Sequence, residues 1–342
     1  MIKVEERVKE YLRLGRLFNA EILALIFVLS YMLSAKLNVL QTDIRIIIIL
    51  FIAGVFAHVG GAYNNDRLDL AIDKRADYCA HKPLVSGKIS IKTAKIIEFT
   101  AIIIFIVSIL YASYTSKSTI SVIVSPRILS TIIFIMCAAS LVYLYNRFNK
   151  SNMFINIIGQ MYASFAVLIG MSIVLDFDFI VVLSAIVIGL NGVYLNIIEA
   201  DIKDLEADIV NVPKSLGVRF EGEKAVNILK FYILNEVIKI IIFILILNIL
   251  LLEKAGITYL LMACILFIIN YLVRLLMFKN LSSNREKIKR YIAAQELTSI
   301  FLISTIYMII NPFLPILVLI FVVIWLSTWN KVLWGTYFRP QV

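Results

Sequence analysis

Long apolar runs dominate the chain. The runs at 46–59, 102–111 and 240–252 hold no Asp, Glu, Lys or Arg. A helix needs about 20 mostly apolar residues to cross a bilayer. In lipid, the backbone polar groups of such a segment must be satisfied within the segment itself, which favours helices. The pattern therefore predicts an all-α fold, a polytopic membrane helical bundle.

Ten segments are long and apolar enough to be candidate spans. They lie at about 18–35, 45–64, 93–113, 128–146, 153–174, 179–199, 225–252, 256–279, 291–311 and 313–330. The last two flank Asn311-Pro312, so they are either two helices or one kinked helix. We predict nine core transmembrane helices and a tenth candidate at the C-terminus, all in a single integral-membrane domain over residues 1–342.

The distribution of charge predicts an orientation. Only 16% of the residues are charged, against about 25% in soluble domains, and the formal net charge is +10. With the N-terminus in the cytoplasm, the cytoplasmic segments hold 25 Lys and Arg residues and the opposite loops hold five. This bias predicts a cytoplasmic N-terminus. Basic residues in short loops suit membrane lipids and anionic ligands, and they argue against a nucleic-acid partner.

A cluster of polar residues follows the second predicted span. Asn65, Asp69 and Asp73 are spaced at i, i+4 and i+8. If the preceding helix continues through them, their side chains project from one face. Carboxylate and amide oxygens are ligands for hard cations such as Mg²⁺.

A second acidic cluster follows the sixth predicted span. Asp201, Asp204 and Asp208 are spaced at i, i+3 and i+7, again on one face of a helix. One such motif is common as a solvated helix end, whereas two of matching type on one membrane side favour a function. Mg²⁺ shares its coordination sites with substrate phosphates and stabilises charge on a leaving group. We expect the two clusters to face one cavity and to hold a diphosphate through Mg²⁺.

At these motifs the chain resembles the UbiA superfamily of intramembrane prenyltransferases, which has NxxxDxxxD after its second helix and a DxxxD-type motif after its sixth. The resemblance covers about residues 10–280, and the span at 313–330 exceeds the usual family length. It implies a Mg²⁺-dependent prenyltransferase that uses an isoprenoid diphosphate. It assigns metal and diphosphate binding to Asn65, Asp69, Asp73, Asp201, Asp204 and Asp208, of which Asp69, Asp73, Asp204 and Asp208 are the catalytic carboxylates.

The resemblance also implies residues that bind the substrate. Lys82 opens a stretch, Lys82-Pro83-Leu84-Val85-Ser86-Gly87, that is similar to the basic-Pro-Leu-x-Ser-Gly stretch of the family. Tyr145, Lys150 and Arg16 match a Tyr and two basic residues of the family. Separately, Asn191 and Tyr194 precede the second cluster, and they either line the acceptor pocket or form bonds between helices.

The sequence allows more than one acceptor, and it allows more than one role for several polar residues. The nine-residue spacing from Asp73 to Lys82 resembles the quinone-precursor branches, which favours a small aromatic acceptor such as 4-hydroxybenzoate. The alternative is a glycerol-phosphate ether lipid; a membrane terpene cyclase or a transporter is less favoured, since transporters place ionisable residues near the midplane. His58, Glu236 and Lys239 are candidates for function or for helix packing.

Overall fold

Side-chain caps mark the beginnings of several helices. The computed structural model describes residues 4–75, 79–116, 126–149, 152–174, 178–197, 201–203, 205, 211–281 and 284–337. Asp43 accepts a hydrogen bond from the Arg45 backbone at the start of one helix, and Ser90 accepts one from the Thr93 backbone at the start of the next. Such caps satisfy donors that have no partner within the helix, so each apolar run begins as a helix at a defined residue.

The chain is helical along most of its described length. The α-helices in chain order are α1 Val4–Leu14, α2 Ala20–Leu37, α3 Ile44–Asp73, α4 Ile91–Thr115, α5 Pro126–Phe148, α6 Met153–Gly159, α7 Tyr162–Ser172, α8 Phe179–Leu195, α9 Asp201–Lys203, α10 Val212–Ser215, α11 Leu229–Leu252, α12 Ile257–Lys279, α13 Arg285–Ser304 and α14 Leu314–Trp334. Two 3₁₀ turns lie at Leu17–Asn19 and Thr305–Ile309. Strands β1 Arg219–Glu221 and β2 Lys224–Val226 form an antiparallel hairpin in which Arg219 pairs with Val226.

The predicted membrane bundle is confirmed. Within the described residues, nine helical segments are long and apolar enough to cross a bilayer, and Phe179–Leu195 is a shorter apolar helix. The alternative of one kinked C-terminal helix is wrong, since α13 ends at Ser304 and α14 begins at Leu314. Pro312 lies in the connection between them, where its ring and missing N–H cost no helical hydrogen bond.

Several predicted spans differ from the observed helices, three of them by a break or a shorter extent. The segment predicted at 153–174 is divided into α6 and α7 at residues 160–161. The span predicted to begin at 225 begins at Leu229, because residues 224–226 form β2. Gly222 and Asn227, both at positive φ, flank that strand and supply the turn that an apolar count does not detect. The sixth span was predicted to reach residue 199, whereas α8 ends at Leu195.

The chain divides into two compact units. The first contains Met1–Arg147, Phe165–Asp178 and Val322–Arg339, and the second contains Phe148–Ser164, Phe179–Phe321 and Pro340–Val342. The first acidic motif belongs to the first unit and Asp201 belongs to the second.

Small residues let helices of the first unit approach closely. A Cβ atom on Gly54 of α3 would lie 2.3 Å from the Ala24 Cα of α2, so only glycine fits at this crossing. A Cβ on Gly170 of α7 would lie 2.7 Å from the Phe27 carbonyl of α2. Close backbone approach through small residues is a main source of helix association in membranes, and it fixes α3, the helix that carries the first motif.

A buried polar network joins the helices of the second unit. Lys239 on α11 is fully buried and donates hydrogen bonds of 2.9 Å to Asn191 Oδ1 on α8 and to Ser299 Oγ on α13. Its ammonium also lies 3.8 Å from the ring centroid of Tyr194. Asn270 on α12 donates to Ser299 as well. These contacts satisfy an ionisable group within a membrane-spanning helix, where an unsatisfied charge is costly.

An ion pair extends this network between α11 and α12. The buried Arg274 guanidinium donates to both carboxylate oxygens of Glu236, at 2.6 and 2.8 Å, and to Asn270 Oδ1 at 2.9 Å. The bidentate geometry is the one in which arginine–carboxylate pairs are strongest. Glu236 and Lys239 are thereby both placed in interhelical contacts.

We predict that Arg274→Leu destabilises the protein in detergent far more than Arg219→Ala does. The first change leaves the Glu236 carboxylate without its partner, and breaking a buried pair costs about 3–5 kcal/mol. Arg219 and Glu221 form an exposed pair, with side chains 66% and 57% exposed, and such pairs contribute about 1 kcal/mol or less. Thermal unfolding of the two purified variants measures the difference, and equal shifts in Tm would contradict the prediction.

Candidate active site

The first acidic motif lies at the last turns of α3. The helix continues without a break to Asp73, so successive motif residues rise by about 6 Å along one face. Asp69 and Asp73 are 6% and 4% exposed. Asn65 Nδ2 lies 3.4 Å from Asp69 Oδ2. The one-face arrangement predicted for Asn65, Asp69 and Asp73 is therefore present in the structure.

Cations lie beside these carboxylates. Lys82 Nζ lies 2.7 Å from Asp73 Oδ2, and Cys79 Sγ lies 3.6 Å from Asp73 Oδ1. A carboxylate near the C-terminus of a helix interacts unfavourably with the helix dipole, and Lys82 offsets this effect for Asp73. The loop after α3 thus folds back to place a basic side chain on the motif.

Arg16 reaches the same helix from the N-terminal segment. Its guanidinium donates to Asp66 Oδ1 at 2.6 Å. The Asp66 carboxylate raises the pKa of Arg16, against the opposing effect of burial, and Asp69 and Asp73 act in the same direction. Arg16 therefore stays protonated and contributes a fixed positive charge beside the motif.

Arg67 has a different role from the other nearby cations. It forms a bidentate pair with Glu98 of α4, at 2.8 and 3.1 Å. Asn64 also donates to Glu98 at 2.6 Å, and Asn146 of α5 donates to Asn64 at 2.9 Å. This set of contacts fixes α3 against α4 and α5, and it occupies the Arg67 guanidinium with a structural partner.

The second motif is described at Asp201, which is 3% exposed. Its carboxylate accepts hydrogen bonds from Asn156 Nδ2 at 3.1 and 3.3 Å and from the Val212 backbone at 3.0 Å. Helix α9 covers only Asp201–Lys203 and Leu205 lies in a turn, so the single helix expected through this motif is not continuous. Asp204 and Asp208 lie outside the described residues.

The remaining predicted site residues fall into three groups. Tyr145 lies on α5 and is partly exposed. Lys150 lies outside the described residues. Asn191 and Tyr194 are 6% and 0% exposed; Asn191 accepts the Lys239 hydrogen bond, and the Tyr194 hydroxyl accepts one from Gln295 at 2.9 Å. Both side chains of α8 thus make interhelical bonds.

Sequence reasoning missed two residues around the motifs. Asp66, 6% exposed, adds a carboxylate beside the first motif, and its position next to Asn65 was a usable signal. Asn156 connects Asp201 to Asn196, which donates to it at 2.6 Å. No spacing in the sequence could have indicated Asn156, because its partner lies 45 positions away.

The donor set fits a hard divalent cation. Buried carboxylate oxygens at Asp69 and Asp73, with the amide of Asn65, are the ligand types that Mg²⁺ prefers. In the part of the chain that the structure describes, no three His, Cys, Asp or Glu side chains are grouped to hold a metal ion by themselves. Mg²⁺ usually takes only one or two carboxylates and fills its other positions with water and phosphate, which agrees with this arrangement.

A bundle of membrane-spanning helices with acidic side chains at a helix end defines an integral-membrane protein with a site for a polar ligand. Residues 23–300 match the UbiA prenyltransferase family. The chain belongs to this family and is a membrane prenyltransferase. A comparison with curated protein sequences finds no match.

Solved structures share the fold at low sequence identity. A structure of digeranylgeranylglyceryl phosphate synthase is 20% identical, with a TM-score of 0.61 over 90% of this chain and 99% of that chain. UbiA homologues from Archaeoglobus fulgidus are also similar. The structure bound to GPP and Mg²⁺ is 18% identical and the one bound to DMAPP and Mg²⁺ is 17% identical; each has a TM-score of 0.58 over 88% of this chain and 99% of that chain.

We predict that Lys82→Ala weakens the binding of prenyl diphosphate by about 10- to 150-fold, since a charge-assisted contact contributes about 1.5–3 kcal/mol. Lys287→Ala is the matched control, because Lys287 is exposed in the first turn of α13 and distant in sequence from both motifs. Titration of each purified variant with a prenyl diphosphate in Mg²⁺ measures the two affinities. Equal losses would show that general surface charge, not Lys82, explains the binding.

Proposed function

We propose that the protein uses Mg²⁺ to transfer an isoprenoid chain from its diphosphate to a small acceptor. The observation that supports this most is the pairing of a buried carboxylate face on α3 with cations from two other segments. Asp69 and Asp73 supply oxygen ligands, and Lys82 and Arg16 supply positive charge beside them. The relatives bound to prenyl diphosphates and Mg²⁺ add support.

The carboxylates of each motif would bind diphosphate through the metal. When bound, Mg²⁺ stabilises the negative charge that develops on the leaving diphosphate. Asn65, Asp69 and Asp73 are the proposed metal-binding residues of the first unit, and Asp201, Asp204 and Asp208 are those of the second. Lys82 would move its ammonium from Asp73 towards a phosphate oxygen, so that its charge stays paired in both states.

The charge distribution supports an orientation for this reaction. The N-terminal segment and the loops that carry both motifs belong to the basic side of the membrane, which the positive-inside bias assigns to the cytoplasm. The prenyl tail is as apolar as lipid, so it would enter laterally from the bilayer. Membrane lipids would surround the exposed apolar side chains of the spanning helices.

We propose a small aromatic acceptor of the quinone-precursor type, such as 4-hydroxybenzoate. The nine-residue spacing from Asp73 to Lys82 supports it. The second candidate acceptor is a glycerol-phosphate ether lipid, which the likeness to digeranylgeranylglyceryl phosphate synthase favours. Both candidate acceptors carry hydroxyl groups, and analysis of the prenylated product distinguishes between them.

We propose that a hydroxyl group of the acceptor binds beside His58 on α3. His58 precedes Asn65 by seven residues, or about 10 Å along the helix. His58 Nε2 is buried and accepts no hydrogen bond from the described residues, and an added Cβ on Gly61 would meet no atom within 4 Å. A hydroxyl group that bonds to His58 would occupy the deep end of the Asn65–Asp69 face.

We predict that Asp69→Asn lowers turnover by about 100-fold or more, because metal stabilisation of the leaving group contributes several kcal/mol. Asp43→Asn is the control, since Asp43 caps the opposite end of the same helix and asparagine is an equally good cap. Diphosphate release is measured with Mg²⁺, with chelator, and after Mg²⁺ is restored. Near-normal activity of the Asp69 variant in saturating Mg²⁺ would overturn the proposal.

We predict that incubation with Mg²⁺, a prenyl diphosphate and 4-hydroxybenzoate gives a prenylated aromatic product. Glycerol phosphate carrying one prenyl ether is offered in a parallel reaction, and a third reaction contains no acceptor. Mass spectrometry identifies the products. A product only from the glycerol compound would favour the second candidate, and a cyclised hydrocarbon without acceptor would indicate a terpene cyclase.

A further inference from the structure

The C-terminal helix α14 contacts the segment that carries Arg16. This helix begins 14 residues beyond the region matched by the family, which ends at residue 300. Its later part, from Val322, belongs to the same compact unit as α1, α2 and α3. The helix is therefore an addition to the family region that is packed into the unit containing the first acidic motif.

Two contacts join α14 to the connection between α1 and α2. The Trp325 indole Nε1–H donates to the Leu17 carbonyl at 3.0 Å. The Phe18 ring meets the Trp334 ring edge-on, with centroids 5.1 Å apart. Leu17 and Phe18 directly follow Arg16, so both contacts restrain the segment beside this residue.

A third contact comes from the end of α1. The Arg13 guanidinium donates from Nε to the Leu333 carbonyl at 3.1 Å and also from a terminal nitrogen. Leu333 is 1% exposed. Arginine near a helix C-terminus satisfies carbonyls that lack intrahelical partners. Arg13 thereby joins the end of α1 to the end of α14.

Arg16 needs such support because its backbone is in an unfavourable conformation. Its φ and ψ are 46° and 41°, the left-handed region. For a residue with a side chain this conformation costs about 1–2 kcal/mol, and it persists only where surrounding contacts fix it. In this conformation the Arg16 guanidinium lies 2.6 Å from the Asp66 carboxylate.

Trp325 also contacts the motif helix itself. Its ring lies 5.7 Å, centroid to centroid, from Phe51 on α3 in a T-shaped arrangement. The Trp325 indole therefore contacts α3 with its ring. Its N–H group contacts the left-handed turn at Arg16 and Leu17, which we call the Arg16 corner. Trp325 thus joins the backbone beside Arg16 to α3, at a position about four turns before Asp66.

We infer that α14 is a positioning element for prenyl diphosphate binding: Trp325 and Trp334 hold the left-handed corner at Arg16, so that its guanidinium stays beside the first acidic motif. The inference rests on the proposed function, because it assumes that Arg16 assists diphosphate binding. Trp325 acts through Arg16 and contacts no reacting atom, so it is a positioning residue.

The test is a double-mutant cycle in the full-length protein. Trp325→Phe removes the N–H group and keeps an aromatic ring. It should raise the KM for prenyl diphosphate by about 2- to 12-fold, the factor for one neutral hydrogen bond, and leave the KM for the acceptor unchanged. In the Arg16→Ala background the same change should alter KM by less than about 1.5-fold, because coupled residues are not additive.

Two further variants keep the test decisive. Trp329→Phe is the matched control on the same helix: the Trp329 ring lies beside the Trp325 ring, with centroids 5.9 Å apart, and phenylalanine keeps an aromatic ring at this contact. Within the described residues the Trp329 indole donates no hydrogen bond, so the KM of this variant should match the wild type. Arg13→Met removes the Leu333 contact without changing α14; it also removes the Arg13–Glu10 ion pair, while Glu10 keeps its pair with Lys88. It should raise the KM for prenyl diphosphate as Trp325→Phe does. Thermal unfolding of each purified variant establishes that it is folded.

The outcomes separate the inference from the proposed function. If Trp325→Phe raises KM equally with and without Arg16, the helix acts on general stability and the inference is overturned. An unchanged KM in Trp325→Phe alongside a raised KM in Arg16→Ala also overturns it, while the role of Arg16 in the proposed function stands. If Arg16→Ala leaves the KM for prenyl diphosphate unchanged, Arg16 does not assist diphosphate binding, and the inference fails. The Asp69→Asn measurement still tests the proposed prenyl transfer.

Discussion

The pairing of buried charges across helices is the constraint on which this structure depends. In an apolar chain that crosses a bilayer, an uncompensated charge is costly, so carboxylates and cations meet across helices. Arg67 with Glu98, Arg16 with Asp66 and Lys82 with Asp73 fix the elements around α3. The same rule fixes α11 and α12 in the second unit. Charge pairing therefore both assembles the helices and builds the site.

The pairs differ in whether a ligand could replace one partner. Glu98 accepts from Arg67 and Asn64 and is 9% exposed, so its bonds are complete and serve the fold. Lys82 is 26% exposed at its side chain and holds Asp73 by one contact. A partly exposed lysine on a flexible stem can exchange a carboxylate for a phosphate. The Lys82 and Arg67 side chains are similarly exposed, at 26% and 22%, so the two cations differ in the number of contacts and in the flexibility of the side chain.

Apolar runs and helical spacing predicted most of the fold and the first motif. The runs are long enough that length alone indicates each span, and the continuation of α3 through Asp73 follows from uninterrupted helical spacing. The break between α6 and α7 and the hairpin at 219–226 were not predictable, because they depend on local turns within apolar or mixed sequence. Partners such as Asn156 and Asp201 depend on tertiary packing, which single-sequence patterns do not contain.

The left-handed corner at Arg16 shows how tertiary contacts override local preference. Nothing in the segment Leu14–Asn19 favours a positive φ at an arginine, since glycine or asparagine is the usual residue there. The cost is offset by the ion pair to Asp66 and by contacts from a helix more than 300 positions later in the chain. A residue held in this way has one orientation before any ligand arrives. Because preorganised charge needs no rearrangement when a leaving group ionises, this geometry would suit the role in diphosphate binding that we propose for Arg16.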